Sequence, residues 1–420
     1  VNGEAPLSLT LDGKDHQSCQ FLSKRAPDES HEFTWKEVTT TRGGELAEIL
    51  GDQLRSVDSL VVKGNVNDKD FHAMWDASLY GYLSVINLKN AVLENNAVPD
   101  TAFFHENEQY EGSSHEIFYY IGLRKIILPE GLEKIGEGAF YQASALRQVN
   151  FPSTLRYIGD FAFNATKLEM NQLVIPEGVE EINQYAFAFC RKLKAQVILP
   201  STIKKIGEWA FYGCPITSIN LPEGLESLGS LAFWDCDLRE VSIPSSCHEF
   251  NEGWQFGFNR NLEKMHLPEG MTEIPDHFAV DCFRLREVNF PHTLKHIGEK
   301  AFSLCISLKN VELPLGMQSL GEEAFSELEA LEQIVFPASM KSLGKNSCSY
   351  WKNIKRIYCA AMEPPVCDPT DGGVFSGFDF PDGLNTPVVY VPKGSINKYK
   401  DTSRNCMGWE KFWNYVEIDP

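Results

Sequence analysis

Residues 123–145 read LRKIILPEGLEKIGEGAFYQASA, and the spacing of their apolar and special residues decides the fold. Those positions are Leu123, Ile126, Leu128, Pro129, Gly131, Leu132, Ile135, Gly136, Ala139, Phe140 and Ala143. The stretch from Leu285 repeats them as Leu285, Val288, Phe290, Pro291, Leu294, Ile297, Gly298, Ala301, Phe302 and Cys305. Prolines close short apolar runs at Pro129, Pro152, Pro176, Pro200, Pro222, Pro244, Pro268, Pro291, Pro314 and Pro337, with gaps of 23, 24, 24, 22, 22, 24, 23, 23 and 23 residues. A fixed period of this length is the mark of a solenoid. Within one unit, Leu285, Val288 and Phe290 predict a short strand with one buried side, which Pro291 ends because proline has no N–H for a ladder. A second short element, Leu294 to Ile297, ends at Gly298, and a helical turn carrying Ala301, Phe302 and Cys305 is expected to follow. One such unit cannot bury its apolar face alone; coils stacked about 4.8 Å apart can.

Outward from this stretch, the reading is a repeat solenoid of about ten coils of 22–24 residues, spanning 123–358 and capped at both ends. Residues 41–122 predict an N-terminal cap with worn coils. Leu60-Val-Val62 and then Leu83, Ile86 and Leu88 read as strands, and Val98 to Phe103 matches the segment ending in the core phenylalanine. Gly44 to Leu54 has helical spacing at Leu46, Ile49, Leu50 and Leu54 and suits the open end. Residues 1–40 fit no unit and read as an arm or strand pair. Residues 359–420 predict a C-terminal cap whose 359–389 part, rich in Pro, Gly and Asp, reads as a long loop. Length alone suggests two or three domains for 420 residues; the period instead joins most of them into one elongated repeat domain.

The net charge of −20 opposes binding to nucleic acid or an anionic membrane, and no basic patch offsets it. No apolar run is long enough to span a membrane. A chain that begins at Val1 reads as a mature or trimmed form. Catalysis has little support: there is no phosphate loop and no Gly-x-Ser-x-Gly elbow, and His292 and His296 follow a proline-ended strand rather than sharing a helix face. No cofactor and no metal are expected. Paired Cys or His clusters for zinc are missing, and Cys359 and Cys367 are the one pair outside the repeat close enough to raise a disulfide.

Repeat position sorts most remaining candidates. Phe103, Phe140, Phe163, Phe187, Phe211, Phe233, Phe256, Phe278, Phe302 and Phe325 form one column, expected to be a buried stack. Cys190, Cys214, Cys236, Cys282 and Cys305 share another position and predict a ladder of small, buried, reduced thiols. Two residues before the core phenylalanine stand Phe161, Tyr185, Trp209, Leu231 and Trp254, then His277 and Lys300; one place after it, Tyr141, Tyr212 and Trp234. On a helical turn a residue two before the core phenylalanine faces away from the core, so that column is expected to be at least half exposed, and the rings one place after add to it over the same coils. Phe161, Tyr185, Trp209, Tyr212, Trp234 and Trp254 are therefore the candidate ligand-binding residues, with packing between neighbouring coils as the alternative. A rival surface is the strand face, which carries Lys125, Gln148, Gln196, Ser218, Glu240, Lys264, Glu287, Asn310, Gln333 and Arg356.

The pattern Leu-x-x-Ile-x-Leu-Pro, then Gly-Leu-x-x-Ile-Gly-x-x-Ala-Phe-x-x-Cys, resembles the BspA-like leucine-rich repeat family, solenoid surface proteins of gut Bacteroidetes. The likeness covers Leu123 to Cys359, and Tyr390-Val-Pro-Lys-Gly394 with Tyr399, Trp409, Phe412 and Val416-Glu-Ile418 is similar to that family's closing segment. It departs at Cys348, which takes the phenylalanine place, at Asn259, which takes a cysteine place, and in the unit around Cys247 to Phe256, which carries an insertion. The resemblance implies an α/β leucine-rich-repeat solenoid and a non-enzymatic protein, exported or held at the cell surface, often as a lipoprotein. It further implies adhesion to host extracellular-matrix or cell-surface proteins. A glycan-binding surface protein and a structural scaffold without a soluble ligand are the other readings.

Overall fold

The structure, a computed structural model, describes residues 31–104, 121–368, 373–377, 386–401 and 408–419. Internal contacts divide the chain into two compact units, 1–193 and 194–420. Each is a parallel β-solenoid of stacked coils.

In the first unit one ladder runs through Trp35–Thr40, Ser59–Val66, Val85–Leu93, Lys125–Ile127 and Gln148–Val149, every pairing parallel. A second joins Ala97–Val98, Lys134–Ile135, Tyr157–Ile158 and Glu181–Ile182. The strand of the expected N-terminal arm is thus the first rung of the solenoid; residues 1–30 lie outside the described residues. A 13-residue helix, Asp68–Tyr80, was not foreseen. Asn67 and Asp70 form its capping box, and the buried Asp70 carboxylate also accepts the N–H groups of Gly44 (2.6 Å) and Leu46 (2.9 Å). The signal was present as Asn-x-x-Asp before an apolar spacing.

In the second unit the last and longest ladder runs Asn310–Glu312, Gln333–Phe336, Arg356–Cys359, Val388–Pro392 and Asn414–Ile418. Beside it, Glu273–Ile274, His296–Ile297, Ser319–Leu320, Ser342–Leu343 and Val366–Cys367 pair in register. Coils therefore continue beyond the ten proline-marked units at both ends of the chain. The expected 359–389 loop contains a rung of the second ladder, which corrects that reading. Cys359 and Cys367 end strands of different ladders and are both free and buried, so the disulfide is not formed.

The segment around the core phenylalanine is not a helical turn. It is a chain of three β-turns, and its N–H groups alternate between their own coil and the next. Trp209, Phe211 and Gly213 donate to the carbonyls of Ser230, Ala232 and Trp234 at 2.8–2.9 Å, whereas Ala210, Tyr212 and Cys214 donate to residues three back. This accounts for the buried backbone of a segment that forms neither helix nor strand. The turns need a left-handed residue two places before the core phenylalanine. Thr101, Gly138, Phe161, Tyr185, Trp209, Leu231, Trp254, Lys300, Glu323 and Asn346 all stand there with φ between 51° and 66°.

The phenylalanine column is fully buried. In the first unit Phe103, Phe140, Phe163 and Phe187 stack at 5.2–5.4 Å within 11° of parallel; in the second, Phe211, Phe233 and Phe256 do so at 5.5–5.6 Å. Phe278 is a correction. Its coil is one residue shorter before the ring, so Ala279 takes the core register, donating its N–H to the Ala301 carbonyl. Phe278 lies across Phe256 at 75° and packs on Phe250 at 5.8 Å.

The cysteine column is a row of donors as well as fillers. The thiols of Cys190, Cys236, Cys282 and Cys305 point at the carbonyls of Phe163, Phe211, Phe256 and Ala279 at 3.2–3.3 Å. Asn259, in the same place, donates its amide to Phe233 O at 2.7 Å, which explains the exchange of Cys for Asn. Burial pushes the Cys282 thiol up to about 12 and holds Cys236 and Cys305 well above the usual range. The nine free cysteines described are all buried. They are expected to resist a thiol reagent at pH 8 in the native protein and to react together once urea unfolds it; rapid labelling of Cys282 in the native state would contradict this placement.

Candidate functional site

At the left-handed corner a positive φ turns the side chain away from the buried Ala210 and Phe211 beside it. The six candidate rings are all part-buried rather than half exposed. The correction has a simple cause: rings one coil apart sit at the coil spacing and cover one another's faces. In the first unit Phe161 and Tyr185 stack at 4.7 Å and 8°, and Tyr141 meets Phe161 edge-on at 6.0 Å.

In the second unit Trp209 leans on Tyr212 at 4.5 Å and 39°. Farther along, Trp234 contacts Trp254 at 5.2 Å and 59°, and Phe258 at 4.4 Å and 35°. The Trp234 ring occupies the space above Gly257, where a Cβ would come within 2.1 Å of it. Trp254 stacks on His277 at 3.6 Å and 8°. Burial lowers the pKa of that imidazole, with Glu299 opposing, so it is neutral at pH 7; its Nδ1 is buried with no hydrogen-bond partner among the described residues. Three members of this cluster escaped the sequence reading: Phe258, Phe283 and Arg260, whose guanidinium lies 5.7 Å from each of those two ring centres. The signal was a second occurrence of Phe-x-Arg at the same repeat position, Phe189-Cys190-Arg191.

On the strand face charges are already matched from coil to coil. Lys264 pairs with Glu287 (3.2 Å), and Arg356 donates to Gln333 (3.0 Å). At its rim Lys309 and Lys355 both reach Glu332, and their hydrogen bonds lower its pKa. His292 and His296 do not meet: His292 is exposed beside Glu269 at 3.0 Å, and His296 Nδ1 lies 2.7 Å from Ser319 Oγ. An open groove of about 590 Å³ in the first unit is lined by Val149, Phe151, Met170 and Val174, and one of about 450 Å³ in the second by His296, Ser319 and Ser342. Neither includes a candidate ring.

The repeat described as "BspA type Leucine rich repeat region (6 copies)" matches residues 113–197, 194–295 and 277–362, together more than half the chain. The chain belongs to this family. Among solved structures, this BspA-type chain is similar to a leucine-rich repeat protein from Bacteroides ovatus at 22% identity, with a TM-score of 0.54 over 80% of this chain and 92% of that one. That likeness shows the fold. A leucine-rich repeat protein of T. pallidum aligns at 25% identity and a TM-score of 0.32, over 44% of this chain and 77% of that one. A leucine-rich cell surface protein of Faecalibacterium prausnitzii aligns at 16% and 0.35, over 85% and 96%. A search of curated proteins gave no match. No helix among the described residues is long and apolar enough to cross a membrane.

Proposed function

We propose that this BspA-type protein is a recognition and adhesion protein of the cell surface or extracellular space. It binds a partner protein of the host matrix or a neighbouring cell through the ring clusters of its turn side. Trp209, Tyr212, Trp234 and Trp254 are the main contacts of the second unit, and Phe161 and Tyr185 those of the first. The carrying observation is that the corner itself asks for no ring: Thr101, Gly138, Lys300, Glu323 and Asn346 adopt the same left-handed conformation. A type II-like corner favours Gly or Asn, and a bulky residue there costs about 1–2 kcal/mol. Aromatic side chains gathered at such positions in the early and middle coils are thus additional to what the fold requires. The inclinations of 39°, 59° and 35° between neighbouring rings form cups rather than a flat platform, which favours protein side chains over a polysaccharide.

The test is surface plasmon resonance against immobilised matrix and cell-surface proteins, with a glycan array beside it, for the wild type and the Trp234→Ala/Trp254→Ala double variant. Loss of the two rings is expected to weaken binding at least tenfold, the scale of an interface hot spot. Unchanged affinity in a folded double variant would leave the rings with a packing role only.

A further inference from the structure

We infer that Arg260 is the polar anchor of the second unit's ring cluster and docks a carboxylate side chain of the partner protein. This deepens the proposed function and rests on it. Arg260 is exposed, and its guanidinium lies 5.7 Å from the ring centres of both Phe258 and Phe283. The posture is built by the local chain. Phe258 is left-handed at φ 58°, and the Arg260 N–H donates to the Phe258 carbonyl at 2.9 Å, so the side chain folds back over the ring two residues before it. The same turn occurs in the first unit, where Phe189 has φ 59°, the Arg191 N–H reaches the Phe189 carbonyl at 2.8 Å, and the guanidinium lies 5.5 Å from the ring. Arg260 has the second ring as well.

What the guanidinium does not do is equally telling. In a chain of net charge −20 some described arginines are neutralised by a carboxylate, as Arg147 is by Glu169 at 2.7 Å and Arg286 by Glu263 at 3.5 Å. Arg260 has no ion pair and no side-chain hydrogen bond among the described residues; Asp281 feels its charge without reaching it. Rings beside a guanidinium take up none of its strong N–H donors and limit where the side chain can swing, so the donors of its planar fork stay available. Such a fork matches a carboxylate bidentately. Phe258 in turn touches Trp234, and Trp234 touches Trp254, so the anchor and the cup form one patch of the second unit. The partner feature is therefore an Asp or Glu beside an apolar or aromatic side chain. The −20 charge repels acidic surfaces in general, so the match selects a single placed carboxylate rather than an acidic stretch.

The test titrates the full chain with four blocked peptides, acetyl-Phe-Asp-amide, acetyl-Phe-Asn-amide, acetyl-Trp-Glu-amide and acetyl-Trp-Gln-amide, and with sialyllactose as a sugar carboxylate, followed by 1H–15N NMR of the indole and Arg Nε signals. The acidic peptides are expected to bind at least tenfold more tightly than their amides. Arg260→Lys should reduce that preference several-fold, because an ammonium keeps the charge but not the fork, while Trp254→Ala weakens all four peptides alike. Equal binding of acid and amide peptides, full retention of the preference in Arg260→Lys, or a preference for sialyllactose would overturn the assignment. Amide and acid peptides that bind equally but still lose affinity in Trp254→Ala would overturn the anchor and leave the proposed cup standing. Binding of every peptide unaffected by Trp254→Ala would remove the cup as well.

Discussion

Phe233→Ala is expected to lower the stability of the second unit by about 3–5 kcal/mol, the range for removing a buried aromatic ring. Phe233 is fully buried between Phe211 at 5.6 Å and Phe256 at 5.5 Å, with both neighbouring planes within 9° of its own. Parallel rings set at the coil spacing cannot close over a missing member without shortening the distance between coils. That distance is fixed by backbone bonds on either side, such as Phe211 N–H to Ala232 O and Phe233 N–H to Gln255 O, both 2.9 Å. The cavity therefore stays open, and the lost offset stacking adds about 0.5–1.5 kcal/mol to the transfer loss for each ring pair. Because coils contact only their neighbours, the damage stays with the coils around Phe233, and a urea melt should split before it simply shifts. A single cooperative transition less than about 1 kcal/mol below the wild type would mean that the column is not the core it is taken to be.

The features legible in the sequence are those that repeat in every coil: the proline-ended strand, the second short strand, the cysteine place and the phenylalanine. Their period is visible because each meets its own copy one coil away. The turn chain was misjudged because one- and three-residue apolar steps suit a helix and a run of β-turns equally; the distinction lies in backbone sign, which aromatic residues at φ 55–66° do not announce. A longer regularity was also missed. Coils alternate Pro-Glu-Gly, at 129, 176, 222 and 268, with Pro-Ser-Thr and its kin at 152, 200, 244 and 291. The structure gives the reason: the Thr154, Ser246 and Thr293 hydroxyls accept the N–H of Gly131, Gly224 and Gly270, each at 3.0 Å, and donate to the carbonyl beside it. Those glycines have φ of 95–107°, so one coil supplies the turn and the next its cap. Of the candidate site, the indoles were legible from composition and column. Arg260 was not, since its role depends on where Phe283 sits one coil on.

Gly253→Ala is the second large effect expected, about 2–5 kcal/mol of lost stability with a disturbed environment for Trp254. The insertion in the unit around Cys247 to Phe256 reads in sequence only as extra length. In the structure it forces two successive left-handed residues, Glu252 at φ 45° and Gly253 at φ 82°, directly before the left-handed Trp254 at φ 66°. A Cβ on Gly253 would stand 2.0 Å from the Asp276 carbonyl oxygen and 2.9 Å from its carbon, atoms of a backbone that cannot rotate away. That carbonyl already accepts the Trp254 N–H at 3.0 Å, so relief by moving the next coil breaks the bond that sets Trp254 on His277. A left-handed penalty of about 1–2 kcal/mol and overpacking of about 1–3 kcal/mol act together at this point. Thermal unfolding and near-UV circular dichroism should change together: a lower midpoint and a weaker Trp band. A wild-type melting curve with an altered Trp spectrum would assign Gly253 to aiming Trp254 alone. Loss of both, with peptide binding reduced as in Trp254→Ala, would show that the insertion serves fold and surface through the same residue.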